Sequence, residues 1–135
     1  MIIQLTVATP RQGLHSITDQ VRSAIARHCP ESGLCSLFVR HTSASLLVQE
    51  NYDITAQRDL EAWLNRLVPE NDPLYTHTLE GADDMPAHIK SMLTAVNLSV
   101  PIIAGELALG TWQGIYLWEH RHGAHQREIV IHIGE

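Results

Sequence analysis

Hydrophobic positions change period several times along the chain, and each change predicts an element. From Ile2 to Ala8 they alternate, with Ile3, Leu5 and Val7 on one side and Gln4 and Thr6 on the other, which predicts a half-buried strand. A turn follows at Pro10–Gly13. Ser16–Asp19 then resembles a capping box, and Ile17, Val21, Ala24 and Ile25 recur at helical spacing to about His28. Pro30–Gly33 breaks the chain. Cys35–Arg40 reads as a strand, His41-Thr42-Ser43 interrupts it, and Leu46–Val48 is a second short apolar run. Asp53–Leu67 predicts a helix with Leu60, Trp63, Leu64 and Leu67 as its apolar stripe, which assigns Trp63 to the core.

Beyond the loop at Pro69–Pro73, Asp83 or Asp84 can cap a third helix with Pro86 in its first turn. Its apolar positions Ile89, Met92, Leu93 and Val96 carry it onward. Leu98–Ile103 is a strand that Pro101 places at an edge or bulge. After the Ala104-Gly105 turn come a short run at Leu107–Leu109, a strand at Ile115–Glu119, a loop at His120–His125, and a last strand with Ile129, Ile131 and Ile133 on one face. The sum is about seven strands and three helices in one domain, residues 1–135. Adjacent late strands with no helix between them point to antiparallel pairing, so the class is α+β rather than doubly wound α/β.

Composition narrows the function classes. A formal net charge of −6 argues against nucleic acid as the main partner, since such binders carry a basic stripe. No apolar run approaches the roughly 20 residues needed to span a bilayer, so no membrane is expected. The N-terminus does not predict a secretory signal. Two cysteines six residues apart, Cys29 and Cys35, suit neither a disulfide framework nor a zinc knuckle, which places the chain in the cytoplasm. Nine histidines are many for this length, and His120, His122 and His125 crowd one loop.

Candidate chemistry gathers at Glu80–Lys90, where Asp84 and His88 lie one helical turn apart on one face. A carboxylate and an imidazole at that spacing suit acid/base work or metal ligation, and equally an ordinary capped helix with a surface histidine. His41 ends an apolar strand, and the hydroxyls of Thr42, Ser43 and Ser45 follow it, as in a phosphate or carboxylate site or a tight turn. Glu50 and Asn51 close that segment. Gln113 and Glu119 frame a face that is apolar in the middle, and Trp112 beside Gly110 and Gly114 serves as a ligand contact or as core. Arg121 and Arg127 flank the last hairpin loop and suit an anion held by forked hydrogen bonds. Walker, dinucleotide-binding, H-E-x-x-H and G-x-S-x-G motifs are absent.

In order and spacing, His41-Thr-Ser-Ala-Ser45, Gln49-Glu50-Asn51, Glu80-Gly-Ala-Asp-Asp-Met-Pro-Ala-His-Ile-Lys90 and Gly110-Thr-Trp-Gln-Gly114 resemble the YjbQ family over nearly the whole chain. The resemblance implies a compact α+β subunit with a mostly antiparallel, β-sandwich-like core that assembles as a homotrimer. It also implies thiamine-phosphate synthase activity: a hydroxymethylpyrimidine diphosphate joins a thiazole phosphate, and pyrophosphate leaves. On that likeness the catalytic candidates are His41, Glu50, Asp84 and His88. Thr42, Ser43, Asn51, Lys90, Trp112, Gln113, Glu119, Arg121 and Arg127 are candidates for holding substrate. A divalent ion, zinc or magnesium, is expected on His41, His77 and His88. The expected partner is thus a small phosphorylated metabolite. Two other readings stay open: a non-catalytic trimeric module that binds a metabolite or metal, and a metal-dependent hydrolase.

Overall fold

The structure is a computed structural model that describes residues 1–135. Its elements run β1 (Ile2–Thr9), β2 (Gly13–Ser16), α1 (Thr18–Ile25), β3 (Ser32–Val39), β4 (Ala44–Glu50), α2 (Ile54–Leu67), α3 (Asp84–Leu93), β5 (Asn97–Ile103), β6 (Glu106–Leu107), β7 (Gln113–Glu119) and β8 (His125–Gly134). They form a five-stranded sheet in the order β1-β8-β3-β5-β6 and a three-stranded sheet in the order β2-β7-β4, every ladder antiparallel. The α+β class and the sandwich-like core follow. No helix is long and apolar enough to cross a membrane.

Burial explains the sequence periods. The inward residues of the large sheet, Val7, Cys35, Leu37, Val39, Val100, Ile102, Ile129, Ile131 and Ile133, meet Ala44, Leu46, Ile115 and Leu117 of the small sheet. Ile17, Val21 and Ile25 of α1 complete that core. The small sheet is covered on its other face too. There Leu14, Tyr116 and Trp118 pack on Leu64 and Val68 from α2 and its end. A strand buried on both faces has no wet side, so Gly114–Glu119 is an unbroken buried run and not an alternation.

Five expectations change. Gly13–Ser16 is a strand and not the end of a turn, because β7 offers it an edge: His15 pairs with Leu117 and Ser16 with Tyr116. The Ser16–Asp19 capping box does not form. Thr18 Oγ1 instead accepts the Ile115 N–H at 2.8 Å, tying α1 to β7. Trp63 lies on the solvent side of α2 at 55% exposure, and Leu67 is also exposed, because α2 rests on one sheet only and buries just the Leu64 line. α3 stops at Leu93, where Thr94 N–H closes on Lys90 O, three residues short of Val96. Asp83 occupies the N-cap position of α3 without capping it, since its carboxylate serves Arg121 and His122. At the start of α2, Asp53 is the N-cap, its side chain accepting Thr55 N–H at 2.9 Å.

Candidate metal centre

At one end of the small sheet, Ala44 of β4 pairs with Glu119 of β7, and α3 begins across that end. Gly81, at φ +107°, bends the preceding loop in a conformation that side-chain-bearing residues rarely adopt, and it sets Glu80 and Asp83 around Arg121. Arg121 Nε donates to Asp83 Oδ2 at 3.0 Å, its Nη2 to Glu80 O at 2.8 Å, and its Nη1 stands 3.2 Å from Asp84 Oδ1. The guanidinium is therefore spent on holding the start of α3. Its expected part in binding a substrate anion gives way to this structural one.

Asp84 is the first residue of α3 and is 2% exposed. Its Oδ1 faces Arg121, but Oδ2 is buried with no hydrogen-bond donor aligned on it. His77 Nε2 and His88 Nε2 nonetheless lie 2.9 and 3.3 Å from that same oxygen. The missing alignment outweighs the short distances: three ligand-type atoms converge without hydrogen-bonding each other. Two ligands about 2.0–2.1 Å from a zinc ion, at 90° to 109°, stand about 2.9–3.4 Å apart, and both carboxylate–imidazole spacings fall there. The three atoms all lie within 4.8 Å of one another, and the exposed His77 ring is free to close the remaining gap. His88 is oriented for the task. Its Nδ1 lies 3.0 Å from the Thr42 carbonyl, which can only accept, so the proton sits on Nδ1 and Nε2 presents a lone pair. Beside the trio, Asn71, Asp72, Tyr75, His77, Thr78, Gly81, Ala82 and Met85 line a cleft of about 240 Å³.

Behind this site runs a buried polar chain. Arg127 grips Glu119 in a fork, Nε to Oε1 at 2.6 Å and Nη2 to Oε2 at 2.5 Å. Thr9 Oγ1 adds a bond to Oε1 at 2.7 Å, and Arg121 N–H one to Oε2 at 3.0 Å. Burial pushes the Glu119 carboxyl up, but these bonds outweigh it and hold it below the usual range. His120 follows, its Nε2 2.8 Å from Ser45 Oγ. Burial first, and the charge of Lys90 second, lower its pKa to about 3, so it is neutral.

The remaining candidates divide. His41 is not among the metal-type trio, where Asp84 takes the place expected for it: its Nε2 accepts Glu128 N–H at 2.8 Å, and its Nδ1 lies 3.5 Å from Arg127 Nη1. Thr42 and Ser43 contribute carbonyls, not hydroxyls, to His88 and to Arg127 Nη2. Lys90 is buried and donates to Asn65 Oδ1 at 2.6 Å, so it does not reach out to a phosphate; burial lowers its pKa against the pull of Glu70 and Asp83. Glu50, Asn51, Trp112 and Gln113 sit at the far end of the small sheet, where Glu50 pairs with Gln113. Six residues of strand, about 20 Å, separate them from Ala44 and Glu119. There Asn51 Nδ2 donates to Gln113 O, Gln113 Oε1 takes Gly110 N–H, and Trp112, 58% exposed, meets Tyr52 edge-on at 4.8 Å. They form no part of the trio's surroundings. Sequence reasoning missed Asp83 and His120 as site supports, and it placed the Ser45 hydroxyl in an anion-site or turn cluster and not against His120. The signal for His120 was there, two polar residues continuing an apolar run, whereas the pairing of Asp83 with Arg121 exists only in the fold.

Comparison with known proteins accords with this architecture. The family model "UPF0047 protein YjbQ-like" matches residues 3–135. A UPF0047 protein of Synechocystis is 47% identical over 129 residues, covering 96% of this chain and 88% of its own. The UPF0047 protein YjbQ of Salmonella typhimurium is 45% identical, covering 97% and 96%. Among solved structures, a conserved hypothetical protein of Thermus thermophilus superposes with a TM-score of 0.86 at 39% identity, covering 98% of this chain and 99% of its own. An uncharacterised conserved protein of the YjbQ/UPF0047 family from Clostridium acetobutylicum gives 0.88 at 32% identity, covering the same shares. The chain belongs to the YjbQ-like UPF0047 family.

Proposed function

We propose that the chain is a metal-dependent enzyme that hydrolyses a small phosphorylated metabolite at His77, Asp84 and His88. The supporting observation is the buried, donorless Asp84 Oδ2 with two imidazole nitrogens converging on it. Two imidazoles and one carboxylate suit zinc better than magnesium, which favours oxygen ligands and keeps its water. A divalent ion held there would supply a Lewis acid for a phosphoryl oxygen and acidify water at neutral pH. The protein's own groups do the rest. Thr42 O fixes the tautomer of His88, Arg121 fixes Asp84 through Oδ1, and the cleft past His77 receives the body of the substrate.

The thiamine-phosphate synthase reading rests on the motif likeness and shares this centre. An ion at the trio would then neutralise the departing pyrophosphate, though its donor set is less apt for that task. The non-catalytic metal- or metabolite-binding module is what remains if neither reaction occurs. We further propose a cytoplasmic homotrimer. Ile2, Leu34, Phe38 and Ile103 support the assembly, since they lie exposed on the outer face of the large sheet, and the free thiols of Cys29 and Cys35 support the compartment.

The test compares metal-stripped, zinc-restored and magnesium-restored protein, and His88→Ala. Phosphate release from small phosphorylated substrates and thiamine-phosphate formation are assayed side by side. Zinc-dependent phosphate release, lowered at least a hundredfold in His88→Ala, is the expected result. Equal phosphate release by stripped protein or by the variant contradicts it. Thiamine-phosphate formation without hydrolysis moves the assignment to the second reading.

A further inference from the structure

We infer that His41 and Arg127 form an oxyanion subsite next to the trio, suited to a phosphate or carboxylate end of a small ligand. The key is which nitrogen of His41 carries its proton. As β3 ends, Arg40 N–H still reaches Glu128 O at 3.1 Å, and the Glu128 N–H turns to a side chain. His41 Nε2 takes it at 2.8 Å. A backbone N–H can only donate, so Nε2 holds a lone pair and the proton of the neutral ring sits on Nδ1. That Nδ1–H lies 3.5 Å from Arg127 Nη1, which is itself only a donor. The two groups cannot bond each other, and both lack an acceptor.

Arg127 has no slack to relieve this. It is 5% exposed, Nε and Nη2 are taken by Glu119, and Nη2 also leans on Ser43 O at 3.4 Å. Nη1 alone points toward the half-buried His41. One oxygen carrying negative charge, placed between Nδ1 and Nη1, would satisfy both donors at once. Burial and the Arg127 charge lower the proton affinity of His41 and keep the ring neutral, as this arrangement requires. The next residue, Thr42, is the one whose carbonyl orients His88, so neighbouring residues carry the subsite and steady the trio.

As a substrate subsite the pair rests on the metal-enzyme reading. As an anion site it stands on His41 and Arg127 alone, so the test uses metal-stripped protein. Long-range proton–nitrogen spectra of the histidine rings are recorded while inorganic phosphate, acetate or chloride is added. The expected result is an Nδ1–H tautomer at His41 whose signals shift saturably with phosphate or acetate and not with chloride. Phosphate preference assigns a phosphoryl end, and acetate preference a carboxylate end. His41→Gln, which keeps an acceptor for Glu128 N–H, should weaken the anion about tenfold while the melting temperature holds. An Nε2–H tautomer, no response to either oxyanion, or an equal response to chloride overturns the subsite. A response that appears only after zinc is restored also overturns it, placing the anion on the ion instead. Failure of zinc to bind, with the anion response intact, sinks the metal reading and leaves the subsite standing.

Discussion

His120 is 1% exposed, bonded to Ser45 and stacked at a tilt on Trp118, and its ring stays neutral down to about pH 3. Its folded pKa lies below the ordinary 6.5, so the unfolded chain takes the proton first. This group's stabilisation is therefore complete above about pH 6.5 and is lost progressively as pH falls toward about 3, at up to about 1.4 kcal/mol per unit. Between about pH 7 and pH 5 the loss comes to roughly 2 kcal/mol. Urea unfolding at the two values measures it, and His120→Gln, which can keep the Ser45 bond, should flatten the slope. An unchanged slope in that variant refutes the assignment. Legibility at this scale was uneven. Asp84 and His88 stood out because four-residue spacing on a helix fixes a shared face in any fold. Lys90 and Arg121 were misread because a cation's role is set by whatever packs on it. Here those partners are Asn65, and Asp83 with Glu80, from segments far away in sequence.

α2 shows how far a period carries. The stripe of Leu60, Trp63, Leu64 and Leu67 announced the helix correctly at Asp53–Leu67, and in the structure the Asp53 side chain caps its start. Periodicity does not say how wide the buried strip is, and a helix lying on a single sheet buries a narrow one. Leu64→Ala should cost about 2–5 kcal/mol, since Leu64 is 3% exposed against Leu14, Tyr116 and Trp118. Trp63→Ala should cost less than about 1 kcal/mol by the same unfolding measurement. A larger loss at Trp63 than at Leu64 would reverse the orientation of the helix. β2 was hidden for the opposite reason. Gly13-Leu-His-Ser16 has too little alternation to declare itself, and it becomes a strand because β7 leaves an edge free.

Across the whole molecule, the class, the antiparallel pairing and the alternating strands could be read from the sequence, because burial dictates them locally, whereas the burial of β7 on both faces could not, since it depends on α2 covering the small sheet. Which polar clusters meet could not. Nothing in the sequence separates Glu50–Asn51 and Trp112–Gln113 from Glu80–Lys90, yet the pairing of β4 with β7 sets them at opposite ends of one sheet. The outer face of the large sheet bears Leu34, Phe38 and Ile103 with no helix over them, the surface on which the proposed trimer would close. Phe38→Lys should convert trimers to monomers in light scattering, and a wild-type chain that is already monomeric would refute the assembly.

The measurement that bears most directly on the central claim is the metal content of the purified protein after zinc loading and exhaustive dialysis. It is made for the wild type, Asp84→Asn and His88→Ala. The account predicts one zinc ion per wild-type chain, with retention cut at least tenfold in both variants while they remain folded. A wild-type chain that keeps no zinc, or folded variants that keep as much as the wild type, would contradict it.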